Sequence, residues 1–456
     1  MKGSIYILIV FLAGFIYSCA EKDLEPTMTE TLPLETSINT LEDLQGLANG
    51  MYDRLTVPHY YGRDMIIFGE VRSDNCFANA TSGRFVTVGQ MKVGPADNYS
   101  ESVWTAIYKV IASANIIIQQ NPSQLEGDET AIKHIIGQAF VIRALAHFDL
   151  LRLYGQQHAG GNLGIPYVTT YKGDNLTPSR AIVDENKISI YNDLENGLQL
   201  LSNTLNDASK QTITTFAAEA LKARIALYFG DWDVAKNAAL SVIGSNQFEI
   251  IDAVNYANSW KKDTDVNSIF ELAFDSSDNN GIEGLQYIYR GAMYGDIEVL
   301  NNLRTIFDEN DVRNSPEMIG NLGGKLRNLG KYPSNDFSDN VSLIRYEEVI
   351  LILAEAKLQL GEDDALDILN EVPAKRNATL YTEATLENIL LERRKELCFE
   401  GFRFDDLART GSDIPLVDPL HQTHGGPAYG SYKYAFAIPS VEMNANPNMV
   451  QNDGYQ

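Results

Sequence analysis

Three things are scarce in this sequence, and each shortage closes a class of protein. Only three cysteines occur among 456 residues: Cys19, Cys76 and Cys398. That count rules out a disulfide scaffold, and no pair stands at zinc-ligand spacing. Positive charge is short as well. Lys and Arg number 36 against 61 Asp and Glu, a net of −25. Phosphate backbones need clustered cations, so nucleic acid is not a partner, and adhesion to anionic lipid by charge is opposed too. Long apolar runs are missing after Ile16, so the rest of the chain is expected to be soluble.

Catalytic signatures are also lacking. There is no G-x-S-x-G elbow and no H-E-x-x-H helix. Gly320 to Lys325 imitates a phosphate loop, but Ile319 stands where the first Gly is required, so it reads as a flexible loop. His421 and His424 lie in a Gly/Pro loop with no carboxylate at useful spacing and read as solvated. Asp263-Thr-Asp265-Val-Asn267 opens like a calcium loop. It lacks the central Gly and carries Phe274 where the chelating Glu belongs, so calcium is weakly supported and no cofactor is expected. Cys76 and Cys398 read as buried or idle thiols.

What is present begins with an address. Lys2 precedes an apolar run from Ile5 to Ile16, too short to span a bilayer and suited to a signal peptide. It ends in Ile16-Tyr17-Ser18-Cys19, which resembles a bacterial lipobox, with Tyr17 departing from the usual small residue. Residues 1–18 are therefore expected to be removed and the Cys19 thiol to carry the lipid. Several acyl chains on one residue exceed what stable anchoring needs. Residues 19–40, rich in Thr, Glu and Pro, read as a tether. The acidic stretch after Cys19 resembles a surface-export signal of Bacteroidota lipoproteins.

Helical periodicity then dominates. Helices are expected over Trp104–Ile118, Ala131–Tyr154 with Thr130 as N-cap, Asn186–Leu201, Thr215–Phe229, Asp231–Asn246, Ser342–Leu360, Asp363–Val372 and Thr385–Phe399. Two stretches share one plan, a helix, then Gly with acidic residues, then a second helix: Ala220 to Ile243 and Ile350 to Val372. Such hairpins resemble tetratricopeptide repeats and must stack to bury their apolar faces. Two irregular regions, near 68–98 and 249–340, interrupt this pattern, with short strand-like runs such as Ser268–Phe274. Loops of that length usually have a binding role. The expected fold is mainly α, a scaffold of tetratricopeptide-like hairpins with long loops and minor β structure.

The order of motifs resembles the SusD/RagB family over almost the whole chain after the signal segment. The N-terminal half carries W-x2-IY-x2-I-x2-AN at Trp104–Asn115, then R-A-L-x-H-F-x-L-x-R-L-Y-G at Arg143–Gly155, then Gly164-Ile165-Pro166. The C-terminal half carries Ile344-Arg345-Tyr346, Leu353-Ala-Glu-Ala356, Glu392-Arg393-Arg394, Glu396-Leu397, Phe399-Glu400-Gly401-x-Arg403 and Asp406-Leu407-x-Arg409. It ends on Ile438-Pro439, Asn446-Pro447 and Gln451-Asn452-x-Gly454-Tyr455. The charged members of these motifs read as a salt-bridge network rather than an acid/base pair. A departure lies at Asn370–Arg376, where the family has its Arg sooner.

The resemblance implies residues 41–456 as one SusD-like domain and a binding protein, not an enzyme. It implies a lipid-anchored protein of the outer membrane, facing the cell exterior. Its partners would be an oligosaccharide or peptide and a SusC-like, TonB-dependent transporter that receives the ligand. Sugar binding needs flat aromatic faces and paired polar groups. The loops offer Asp74, Asn75, Arg84, Phe85 and Tyr99 in the first region. In the second they offer Tyr287, Tyr289, Arg290 and Tyr294, with residues 287 and 289 spaced as on a strand face. The competing reading is a helical scaffold lipoprotein that docks protein partners without binding a nutrient. A glycoside hydrolase would need two apposed carboxylates, and no spacing suggests them.

Overall fold

The structure is a computed structural model, and it describes residues 38–291 and 294–455. Cys19, the signal segment and most of the tether lie outside the described residues.

The first helix, α1 (Leu41–Thr56), starts where it does because Thr40 and Asp43 form a capping box. Thr40 Oγ1 accepts from the Asp43 amide at 3.1 Å, and the Asp43 carboxylate accepts from the Thr40 amide at 3.0 Å. Helix α2 (Asp64–Val71) is buried along its whole length. Helix α3 (Asn98–Ile118) begins six residues before the expected Trp104. Asp97 supplies the cap, its carboxylate accepting from the Tyr99 amide at 2.9 Å.

Helix α4 (Glu129–Tyr154) has 26 residues, about 39 Å of axis. Its cap is Asp128, which accepts from the Ala131 amide at 2.8 Å, not the expected Thr130. Among the described residues, α4 alone is long and apolar enough to cross a membrane, and it is almost entirely buried in protein. It packs between α3 and α5 (Val183–Leu200). The α4–α5 crossing requires glycine on both sides. A Cβ on Gly137 would lie 2.9 Å from the Gly197 carbonyl oxygen, and one on Gly197 would lie 2.6 Å from Val141.

Helix α6 (Thr215–Phe229) turns into α7 (Trp232–Gly244) at Gly230, whose φ of +73° suits glycine. The second hairpin pairs α9 (Tyr346–Gln359) with α10 (Ala365–Ala374), after the short α8 (Leu285–Arg290). Helices α7 and α9 pack together, so the two hairpins stack as the repeat plan requires. Helix α11 (Leu386–Leu397) is capped by Thr385 and stops short of Phe399, where φ is +70°. Helix α12 (Arg403–Arg409) follows.

Strand structure is minor and comes in three antiparallel pairs among the described residues. Strand β1 (Cys76–Ala78) pairs with β3 (Ile297–Val299), Phe77 opposite Glu298. Strand β2 (Ser268–Leu272) pairs with β6 (Val341–Arg345). That pairing claims four residues expected to open α9, which therefore starts at Tyr346. Strands β4 (Ile319–Leu322) and β5 (Lys325–Asn328) form a hairpin with Gly323 and Gly324 at φ +62° and +77°. The stretch Gly320–Lys325, expected to be a flexible loop, is instead the end of β4, this two-residue turn and the start of β5, and the positive φ angles of the turn call for glycine.

The motif charges interlock in the interior. Arg313 contacts Asp311, Glu392 and Glu396; Arg345 contacts Glu347, Glu396 and Glu400; Arg376 contacts Glu347 and Glu396. Burial would raise the Glu396 carboxyl, but Arg376, Arg345 and Arg313 hold it far below its ordinary value.

Candidate ligand-binding surface

The β1–β3 pairing does for the loops what the hairpins do for the core. It joins the first irregular region to the second across some 220 residues of chain. Asn79 fastens the join, its amide donating to the Gly295 carbonyl at 2.7 Å and to Glu298. The two groups of candidate residues therefore meet on one face.

Four of the nine are withdrawn into the interior. Asp74 is buried between Arg394 and Arg403, at 2.9 and 2.7 Å. Burial would raise its carboxyl, and the two guanidinium groups reverse that and hold it low. Asn75 is buried, donating to Glu70 at 3.0 Å and accepting from Arg394 at 2.8 Å. Phe85 is fully buried, under Tyr99 and against Phe68. Tyr289 is fully buried, stacked on Tyr332 and edge-on to Phe399. Residues 287 and 289 lie on helix α8, so their spacing is not that of a strand face.

The other five converge toward the surface, Tyr287 buried and Arg84, Tyr99, Arg290 and Tyr294 partly exposed. Arg84 lies 4.2 Å over the Tyr294 ring, a cation–π contact. Its guanidinium pairs with Glu283, which also pairs with Arg63. Its Nη1 stands 3.8 Å from Asp296 Oδ2, and neither of those two atoms has a hydrogen-bond partner among the described residues. Tyr287 lies just inside, its ring 5.7 Å from both Tyr294 and Phe337. Arg290 donates to the Pro333 carbonyl and to Asn335. Tyr99 is half-buried, and its hydroxyl accepts from the Phe85 amide at 2.9 Å. Burial pushes that hydroxyl up to about 12, so it stays protonated.

Sequence reasoning missed Glu283, Asp296 and Phe337. The available signal for Phe337 was a lone aromatic within Pro-Ser-Asn-Asp-Phe-Ser-Asp. Nothing marked Asp296, which is fully buried and accepts from the Ser82 hydroxyl. No group of three or more His, Cys, Asp or Glu able to hold a metal ion occurs among the described residues.

Stacked helical hairpins carrying a face of aromatic and charged loop residues define a class, the binding scaffold. Comparison with known proteins gives the family. Residues 23–227 match a family model described as starch-binding and associating with the outer membrane, and residues 308–455 match the SusD family model. The SusD-like protein P38 of Formosa agariphila is 25% identical, with 92% of this chain and 93% of that protein covered. The starch-binding protein SusD of Bacteroides thetaiotaomicron is 33% identical over 137 residues. A SusD superfamily structure from Bacteroides thetaiotaomicron superposes with a TM-score of 0.83 at 30% identity, covering 91% of this chain and 99% of its own. A putative sugar-binding protein from Bacteroides vulgatus gives 0.84 at 28% identity, covering 92% and 100%. The chain belongs to the SusD/RagB family, whose members are carbohydrate-binding proteins of the outer membrane.

Proposed function

We propose that this protein is a lipid-anchored, outward-facing substrate-binding protein that captures oligosaccharides and passes them to a TonB-dependent outer-membrane transporter. Residues 41–456 form the binding domain, residues 1–18 the signal peptide and 19–40 the tether. The reading involves no catalysis. The observation that carries it is the Arg84–Tyr294–Asp296 cluster. An aromatic face capped by a guanidinium suits the C–H face of a sugar ring. Asp296 is fully buried and steadies the guanidinium from within, its Oδ2 3.8 Å from Arg84 Nη1, so the groups offered to a ligand are the Tyr294 ring and the outer edge of Arg84. Arg290 and Tyr287 support the same face. A ligand that must be handed on is held loosely, in the micromolar to millimolar range, roughly 4 to 8 kcal/mol.

The test is calorimetric titration with starch-derived oligosaccharides, other neutral glycans and short peptides. Arg84→Ala and Tyr294→Ala should each weaken the best ligand about tenfold, about 1.4 kcal/mol, with little change in melting temperature for Tyr294→Ala and a lower one for Arg84→Ala, which leaves the buried Asp296 without its cation. If both variants bind like the wild type, the site lies elsewhere. Binding of peptides but not glycans transfers the reading to peptide capture. No binding of either at millimolar concentration favours the protein-docking scaffold.

A further inference from the structure

Residues 414–424 form a loop that the candidate binding surface does not use. The chain there reads Ile-Pro-Leu-Val-Asp-Pro-Leu-His-Gln-Thr-His. Ile414 turns inward and joins Phe404 and Tyr434 in a small core. Leu416, Val417 and Leu420 are left in solvent, at 43%, 44% and 80% exposure. Large aliphatics set so close together make an apolar patch, on a chain whose net charge of −25 gives it carboxylates to spare for its surface.

The backbone holds them there. The buried Gln422 side chain spans the loop. Its Oε1 accepts from the Val417 and Asp418 amides at 2.7 and 2.8 Å, and its Nε2 donates to the Pro415 carbonyl at 2.8 Å. The same Nε2 donates to the Ser73 carbonyl at 3.0 Å, which ties the loop to the segment leading into β1. Asp418 accepts from the Leu420 amide at 3.1 Å and meets His421 Nδ1 at 2.7 Å. His424, expected to be solvated, is buried against Gln422. A backbone pinned at these points keeps its leucines in water, and a surface ordered in advance loses less entropy when a partner covers it.

Position and charge decide what that partner is. The His421 ring lies 4.4 Å from the Phe77 ring, and Phe77 stands in β1, opposite Glu298 of β3, on the join that carries the ligand face. The patch is therefore at the rim of that face. Asp418 is the carboxylate of this loop and is taken up by His421, so the patch holds no unpaired charge, as the centres of protein interfaces do not. Leucine and valine present branched aliphatic surface rather than the flat aromatic face a sugar ring needs, and such side chains fit an apolar pocket of another protein. On the proposed function, the protein that must lie over the ligand face is the one that receives the ligand. We propose that Leu416, Val417 and Leu420 dock in an apolar pocket on the outer surface of the receiving transporter and seat the ligand face against it. This rests on the proposed function and adds to it the surface through which the two proteins meet.

The test is co-purification. The full-length chain, carrying an affinity tag, is extracted in detergent from the outer membrane of the organism that makes it, and its companions are identified by mass spectrometry. The wild type should bring down a TonB-dependent barrel in comparable amount. Leu416→Asp combined with Leu420→Asp should reduce that barrel by about tenfold or more, with melting temperature and affinity for the best oligosaccharide unchanged. Thr423→Asp, which adds an exposed charge to the same loop and spares its aliphatics, should retain the barrel. Full retention by the leucine variant overturns the docking surface and leaves ligand capture standing. A wild type that brings down no such barrel overturns the handing-on of ligand as well as the docking surface. Weaker oligosaccharide binding by the leucine variant would place the loop in the ligand site instead. A wild-type dimer that the leucine variant dissociates would give the patch to a second copy of this chain. Either of these results also overturns the proposal.

Discussion

Asp74 and Tyr289 have the residue types of a sugar site and the surroundings of a core. Asp74 is held by two guanidiniums from more than 300 residues away, and Tyr289 is sandwiched beside Tyr332 and Phe399. Asp74→Ala leaves Arg394 and Arg403 without their shared carboxylate and should cost about 3–5 kcal/mol. Tyr289→Ala opens a large interior hole and should cost a similar amount. Melting curves check both. A variant that melts like the wild type would contradict its interior role. Asp339, beside Arg290 and the Pro333 loop, offers a pH test. Burial, with the Asp263 charge adding, raises its carboxyl from 3.8 to about 6. The folded state therefore holds this proton more tightly than the unfolded chain. The contribution is full below about pH 4 and is lost as pH rises through 6. Asp339→Asn should be stabilising by about 1 kcal/mol at pH 7.5 and neutral at pH 4, after allowing for solvent screening. A gain of equal size at both pH values would rule the linkage out. Residue type suggested ligand chemistry at these positions, but burial is fixed by partners that are distant in sequence, and composition does not show them.

At the scale of elements, periodicity was most legible where one helix face carries the packing. Helix α6 runs over Thr215–Phe229 as its pattern indicates. Legibility failed where a partner overrides local preference. Val341–Arg345 is strand because β2 pairs with it, and α8 is a helix whose two tyrosines mimic strand spacing. Helix starts were misplaced, by two residues at α4 and by six at α3, since Asp97 and Asp128 cap earlier than the apolar pattern suggests and only the bonded geometry chooses. Of the candidate site, the two loops were readable and their meeting was not, because three-residue strands are too short to announce a pairing. Helix α4 gives a direct test of the core. Ala146 is fully buried at its centre. Ala146→Asp places an unpaired carboxylate there and should cost several kcal/mol, more than about 3. Circular dichroism and calorimetry should show a loss of helix or a much lower melting temperature. Native melting would mean that α4 is less enclosed than the structure has it.

On the scale of the whole molecule, a chain with net charge −25 keeps a dense set of its cations inside, paired to motif carboxylates, and leaves its surplus acid to solvent. Such a body repels an anionic bilayer, so it needs a covalent means of staying at one. On the proposed function, the signal-like run Ile5–Ile16 and the thiol of Cys19 would supply that means. Each buried acyl methylene contributes about 0.8 kcal/mol, so two or three chains hold a protein of this size against any plausible pull from charge. The first cap among the described residues is Thr40, about twenty residues past Cys19, so loss of the proposed anchor is expected to leave the fold intact. Cys19→Ala should therefore leave the membrane fraction, or accumulate unprocessed, and once purified should melt and titrate ligand like the wild type. Mass spectrometry of membrane-extracted protein should find an acylated N-terminal peptide beginning at Cys19. An unmodified N-terminus, or a Cys19→Ala variant that still partitions fully with the membrane after high-salt washing, would mean that the protein is retained there by something other than its lipid.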